Sequence, residues 1–171
     1  MGNPGLFEIK PMQATNHVQT ELNRFIGRFN DNPDVKYQVR SSTEKHLTGA
    51  STNVVVITFF LSGIFGGLLS AAGKDLWQAA KELFVKLKSR KEEHGDFKLI
   101  FKAREQVRGV PIEFHYSITP VHEPEQIQHF VSAATSELKK LSEAKVHKTF
   151  ESAKQKTIVF DFDGTTMSRR S

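Results

Sequence analysis

Two successive runs of alternating side chains, from Phe97 to Ile118, limit how this chain can fold more than any other stretch. Phe97, Leu99, Phe101 and Ala103 alternate with Lys98, Ile100, Lys102 and Arg104. After the short break from Glu105 to Gly109, Val110, Ile112, Phe114, Tyr116 and Ile118 alternate with Pro111, Glu113, His115 and Ser117. A period of two on both sides of a short loop predicts an antiparallel hairpin with one apolar face and one largely polar face. Such a face is buried by packing helices against it. Pro111, which has no backbone N–H to donate, predicts the first position of its strand or a strand at the sheet edge.

The rest of the chain supplies further strands and the helices. Leu6 to Lys10 predicts a short strand stopped by Pro11. From Asn16 onward, Val18, Leu22, Phe25, Ile26 and Phe29 fall on one helical face, and Asn30 to Pro33 ends the helix. Val35, Tyr37 and Val39 alternate with Lys36, Gln38 and Arg40, which predicts a half-buried strand. Residues 41–53 read as a polar connection. No charge falls between Leu47 and Gly73. The first part of that stretch, Val54 to Phe60, predicts a central strand buried on both faces. A helix is then expected from near Ile64, its stripe running through Leu68, Ala72, Leu76, Ala80, Leu83 and Leu87. The competing expectation is a membrane span over 54–73. A third helix is expected after Pro124, with Ile127, Phe130, Val131, Ala134, Leu138 and Leu141 on one face. Residues 142–156 predict a helical extension or a linker, and Ile158, Phe160 and Phe162 a last strand.

Together these elements predict an α+β domain, with a mostly antiparallel sheet and helices packed on one face. Residues 1–141 form the domain. Residues 142–171 add the extension and a C-terminal strand packed on it. The 14 Phe, against one Trp and two Tyr, predict a core built on phenylalanine. The absence of cysteine excludes disulfides, thiol catalysis and thiolate metal sites. The opening residues lack the charged-then-apolar pattern of a secretory signal, so a cytoplasmic location is expected. A formal net charge of +5 permits an anionic partner without requiring one.

Few motifs carry chemistry. Asp161-Phe162-Asp163-Gly164-Thr165, after an apolar run, resembles the first motif of the haloacid-dehalogenase phosphatases. There the first carboxylate attacks phosphorus and the second acts as general acid and base. That family draws a Ser or Thr, a Lys and more acidic ligands from later strands, whereas eight residues follow Asp163 here. The segment is therefore expected to be a strand end with a turn at Asp163-Gly164, and no phosphatase is expected. His122, Glu125 and His129 follow no zinc spacing and read as a solvated helix end, so neither metal nor cofactor is expected. "GIFGG" lacks the spacing of a phosphate loop. Lys86, Lys88, Arg90 and Lys91, with Lys98, Lys102 and Arg104, form a basic run that a phosphate backbone can use. Cations also suit a helix C-terminus and a solvated sheet face.

One further resemblance rests on the order of parts. An amphipathic helix, the strand "VKYQV", "VVVITFF" feeding a long helix that ends "VKLKSRK", and the hairpin "FKLIFKAREQVRGVPIEFHYSIT" resemble the effector-associated constant component family of bacterial conflict systems. The likeness spans about residues 5–140. It implies a small α+β adaptor or regulator of defence effectors that binds a partner and catalyses nothing. The expected docking surface is the polar face of the 97–117 hairpin, carrying Lys98, Lys102, Arg104, Glu113 and His115. Its occupant is expected to be a protein partner or a second copy of the chain. The alternatives are a membrane-associated effector using the uncharged 47–73 stretch and a nucleic-acid-binding module.

Overall fold

The computed structural model describes residues 16–29, 35–62, 71–143 and 157–170. The strand expected at Leu6 to Lys10 and the helix start near Ile64 lie outside them. The described elements are α1 (Asn16–Gly27), β1 (Val35–Lys45), β2 (Ser51–Ser62), α2 (Ala71–Ser89) and a single turn, α3 (Lys91–His94). They continue with β3 (Asp96–Val107), β4 (Val110–Ile118), α4 (Glu125–Glu143), β5 (Ile158–Phe162) and β6 (Met167–Arg169).

The strands form one six-stranded sheet in chain order. The pairs β1–β2, β3–β4 and β5–β6 are antiparallel, whereas β2–β3 and β4–β5 are parallel. The fold is α+β as expected, with a mixed sheet. Each parallel pair is bridged by a helix, since two parallel neighbours need a long crossover. Trp77 of α2 packs on Phe101, Phe130 of α4 packs on Tyr116, and Trp77 and Phe130 touch each other. Phe101 and Tyr116 are register partners, so both helices lie on one face of the sheet. Because β2 and β4 run in opposite directions and both connections step the same way, the two crossovers have opposite hands. One therefore departs from the right-handed sense usual for parallel connections.

The core is phenylalanine-rich, as the composition predicts. One buried-face row crosses the sheet through Tyr37, Phe59, Phe101, Tyr116, Phe162 and Met167, each opposite the next. Phe59 stacks on Phe101, and Phe114 on Phe160, with ring centroids 5.2 and 5.3 Å apart. Helix α1 adds Val18, Leu22 and Phe25, and α2 adds Leu76, Ala80, Leu83, Phe84 and Leu87, all buried. No helix among the described residues is long and apolar enough to cross a membrane.

Three local expectations are corrected. Residues 41–53 are not a plain connection. β1 and β2 pair from Ser41↔Val55 to Lys45↔Ser51, whereas β3 begins pairing with β2 at Val54↔Asp96. The hairpin end is thus a two-stranded ribbon projecting beyond the sheet, exposed from Ser41 to Ser51, and so shows no alternation of buried residues. β2 is central but left open on one face by the described helices, which pack on the other, and Phe60 on the open side is 40% exposed. β4 is an interior strand. Its pairing with β5 begins only at Ile112↔Ile158, so Pro111 sits beyond that ladder, where its missing N–H breaks no rung.

Candidate functional site

The open face of the sheet is built by the even-numbered positions of β1 to β3 and the odd-numbered positions of β4 and β5. Their register places Lys36, Phe60, Lys102, His115, Asp161 and Ser168 in one row. Gln38, Thr58, Ile100 and Ser117 form the next row, followed by Arg40, Val56 and Lys98. On the other side of the first row, Ser62, Arg104, Glu113 and Val159 face one another. All five residues expected from the hairpin, Lys98, Lys102, Arg104, Glu113 and His115, therefore lie on this face.

The face divides into two regions. Over β3 to β6, the charged groups are tied to one another. Arg104 donates to Glu113 Oε1 at 2.9 Å, and His115 Nε2 lies 3.3 Å from Glu113 Oε2. His115 Nδ1 lies 3.9 Å from Asp161, which accepts from Arg170 Nε at 2.8 Å. Burial alone pushes the Glu113 carboxyl up, but hydrogen bonding and charge from Arg104, with help from His115, hold it below its usual range. Burial pushes the His115 imidazole down, Glu113 opposes this, and Lys102 and Arg170 add to it. The network is a fixed salt-bridge lattice with a neutral imidazole at its centre near neutral pH.

Over β1 to β3 the balance differs. Lys36, Arg40, Lys98 and Lys102 have no carboxylate partner among the described residues, and Arg40 meets only the Gln38 amide. The ammonium of Lys102 lies 5.9 Å from the centroid of Phe60. On the open face, Asp96, Glu113 and Asp161 are already taken by Lys91, Arg104 and Arg170, and Glu44 lies out on the β1–β2 ribbon.

The phosphatase-like segment is a β-hairpin. β5 turns at Asp163 and returns as β6, which the sequence reading lacked. Asp163 Oδ1 accepts from the backbone N–H groups of Thr165 and Thr166, both at 2.8 Å. Asp161 points to the open face, where Arg170 holds it. His122, Glu125 and His129 do not converge, and no metal-binding cluster of His, Asp or Glu occurs among the described residues. His122 Nδ1 instead accepts from the Thr119 N–H at 3.0 Å.

The sequence reading missed Lys36, Arg40, Phe60, Asp161 and Arg170 as members of this face. The alternation at 36, 38 and 40 was visible, but its neighbours depend on the parallel β2–β3 register set through α2. No family model, curated protein or solved structure matches the chain.

Proposed function

We propose that the chain is a non-catalytic adaptor or regulatory protein that docks a protein partner on the open face of its sheet. Its likeness in order of parts to the effector-associated proteins of bacterial conflict systems agrees with this reading. The observation that carries it is an uncovered sheet face, among the described elements, with cations standing free of carboxylates beside a locked charge lattice. A charged side chain already paired within its own molecule gains little from a partner, whereas an unpaired one is available for it. β4 is paired on both sides, so a partner lies against the face and does not extend the hairpin.

The test is quantitative affinity capture from the native host, with the wild-type chain, Lys98→Glu/Lys102→Glu, and Lys139→Glu on the exposed surface of α4. The same protein is captured by the wild type and by Lys139→Glu, and lost with the sheet-face variant. Equal capture by all three rejects the open face as the docking site.

A further inference from the structure

Resting on that reading, we infer that the β1–β3 half of the open face docks an acidic protein segment, whose carboxylates meet Lys36, Arg40, Lys98 and Lys102 around a central apolar contact. The register sets the geometry. Lys36 and Lys102 flank Phe60 from the two neighbouring strands, and Arg40 and Lys98 flank Val56 in the same way. The Cα atoms of the four cations therefore stand at the corners of a frame about 10 Å across the strands and about 13 Å along them. Inside the frame lie Val56, Thr58, Phe60 and Ile100, partly or largely open to solvent, with Gln38 on one side. An apolar centre with a charged rim is the layout of a protein-docking patch.

Charge decides the sign of the occupant. Asp96, Glu113 and Asp161 on the open face are each bound to a cation outside the frame, and Glu44 lies beyond the frame on the projecting β1–β2 ribbon, four residues past Arg40. Among the described residues nothing within the frame offsets its four positive charges, so a cationic or neutral surface leaves them unpaired on docking, whereas carboxylates satisfy them. Side-chain chemistry decides between protein and nucleic acid. Single strands are held by stacking successive bases on aromatic side chains. Phe60 is the frame's one aromatic residue, and Lys102 stands over its ring. Valine, isoleucine and threonine around it give a flat aliphatic floor suited to an aliphatic side chain. An extended segment with acidic residues on both sides of a Leu, Ile or Val matches the frame's length and chemistry.

The test titrates the isotopically labelled full chain, followed by amide chemical shifts, with probes of defined composition. One is an extended peptide of about nine residues, long enough to span the frame, with Glu flanking central Leu and Val. The others are the same peptide with Lys for Glu, and an oligothymidylate of about ten nucleotides, within the usual site size of single-strand binders. The Glu peptide shifts amides around Lys36, Val56, Phe60 and Lys102, and its affinity falls as salt is raised. Lys98→Glu/Lys102→Glu weakens it by roughly tenfold or more, since two attractions become repulsions. Lys98→Gln/Lys102→Gln gives an intermediate loss and covers the case in which charge reversal disturbs the fold. Absence of shifts with the Glu peptide, shifts confined to other surfaces, or tighter binding of the oligothymidylate to the frame overturns the inference. If capture from the host still requires the open face while the Glu peptide fails, the adaptor reading stands and the acidic assignment falls. If capture ignores the open face, the adaptor reading falls whatever the peptide does.

Discussion

Lys86 on α2 reaches the carboxylate of Glu21 on α1 at 3.2 Å, at the one charged side chain buried among the described residues. Arg24 donates to the same carboxylate through both oxygens, at 2.7 and 2.9 Å. Burial pushes the carboxyl up, but the hydrogen bonds and charges of Lys86 and Arg24 outweigh it and hold it below its usual range. Because the folded value is depressed, this contribution is complete above the ordinary glutamate value of 4.5 and is lost as pH falls through the folded value. Glu21→Gln is expected to cost about 1–2 kcal/mol near neutral pH, the lower end of charged hydrogen bonding because both cations are half exposed. Urea melts at several pH values check this. An unchanged acid dependence in the variant rejects the assignment.

The imidazole of His115 is expected to titrate below 6.5, because burial and the nearby cations disfavour its charged form. Stability linked to it is complete above 6.5 and declines as pH falls toward the depressed value. Lys102→Met removes a neighbouring positive charge and moves the titration up. Glu113→Gln removes the group that favours the imidazolium and moves it down. Imidazole chemical shifts followed against pH distinguish these. A downward move in Lys102→Met or an upward move in Glu113→Gln rejects the described lattice.

The β3–β4 loop consists of Arg108 and Gly109, both with positive φ, at 53° and 79°. A two-residue loop of this kind twists with the flanking strands. A Cβ at Gly109 meets no atom within 4 Å, so any cost of Gly109→Ala comes from the backbone alone. The expected loss is about 1 kcal/mol in chemical denaturation, with the fold retained. A variant as stable as the wild type rejects the strained turn.

Much of the fold, but less of the site, could be read from the sequence. The alternation at Phe97–Ile118 assigns inner and outer positions strand by strand, because burial of one face leaves its mark at every second residue. It does not assign neighbours across a parallel pair. Lys36 and Lys102 flank the same phenylalanine only because β2 and β3 pair Phe60 with Lys102, a register determined by how α2 seats on the sheet. Likewise, the Asp161 carboxylate is oriented by Arg170 across a hairpin whose return strand is three residues long, too short for a periodic signal. The ribbon tip escaped for a related reason. Without a buried face, its Ser and Thr residues alternate with nothing.

Tyr116 is about 1% exposed, and its hydroxyl finds no hydrogen-bond partner among the described residues. Burial pushes its phenol up to about 12, so it stays protonated in ordinary buffers. Removing a buried polar atom that makes no bond relieves its desolvation, so Tyr116→Phe is expected to be neutral or stabilising by up to about 1 kcal/mol. Its neighbour Phe130 stacks on Tyr116 at 5.3 Å and touches Trp77 and Phe162, so Phe130→Ala is expected to cost about 3–5 kcal/mol through the cavity it leaves. Thermal and urea melts of the two variants check the contrast. Substantial destabilisation by Tyr116→Phe rejects an unpartnered hydroxyl.

The Asp161-Phe162-Asp163 segment is expected to serve structure and not phosphoryl transfer. A nucleophilic carboxylate needs an open approach to phosphorus, whereas both oxygens of Asp161 accept from Arg170. The Asp163 carboxylate accepts from two backbone N–H groups and the Thr166 hydroxyl, which lower its pKa below the usual carboxylate range. Depression of the folded value means that this support for the turn is complete above 3.8 and is lost as pH falls through the folded value. Asp163→Asn is therefore expected to raise amide exchange at Thr165 and Thr166 at neutral pH. Asp161→Asn frees Arg170 and loosens β6 against β5, seen as faster exchange at Arg170, whose N–H donates to the Val159 carbonyl at 2.8 Å. Both variants and the wild type are expected to show the same negligible, magnesium-independent rate with a phosphomonoester such as p-nitrophenyl phosphate. Magnesium-dependent turnover by the pure wild-type chain, abolished by Asp161→Asn, sinks the structural reading and makes the segment an active site.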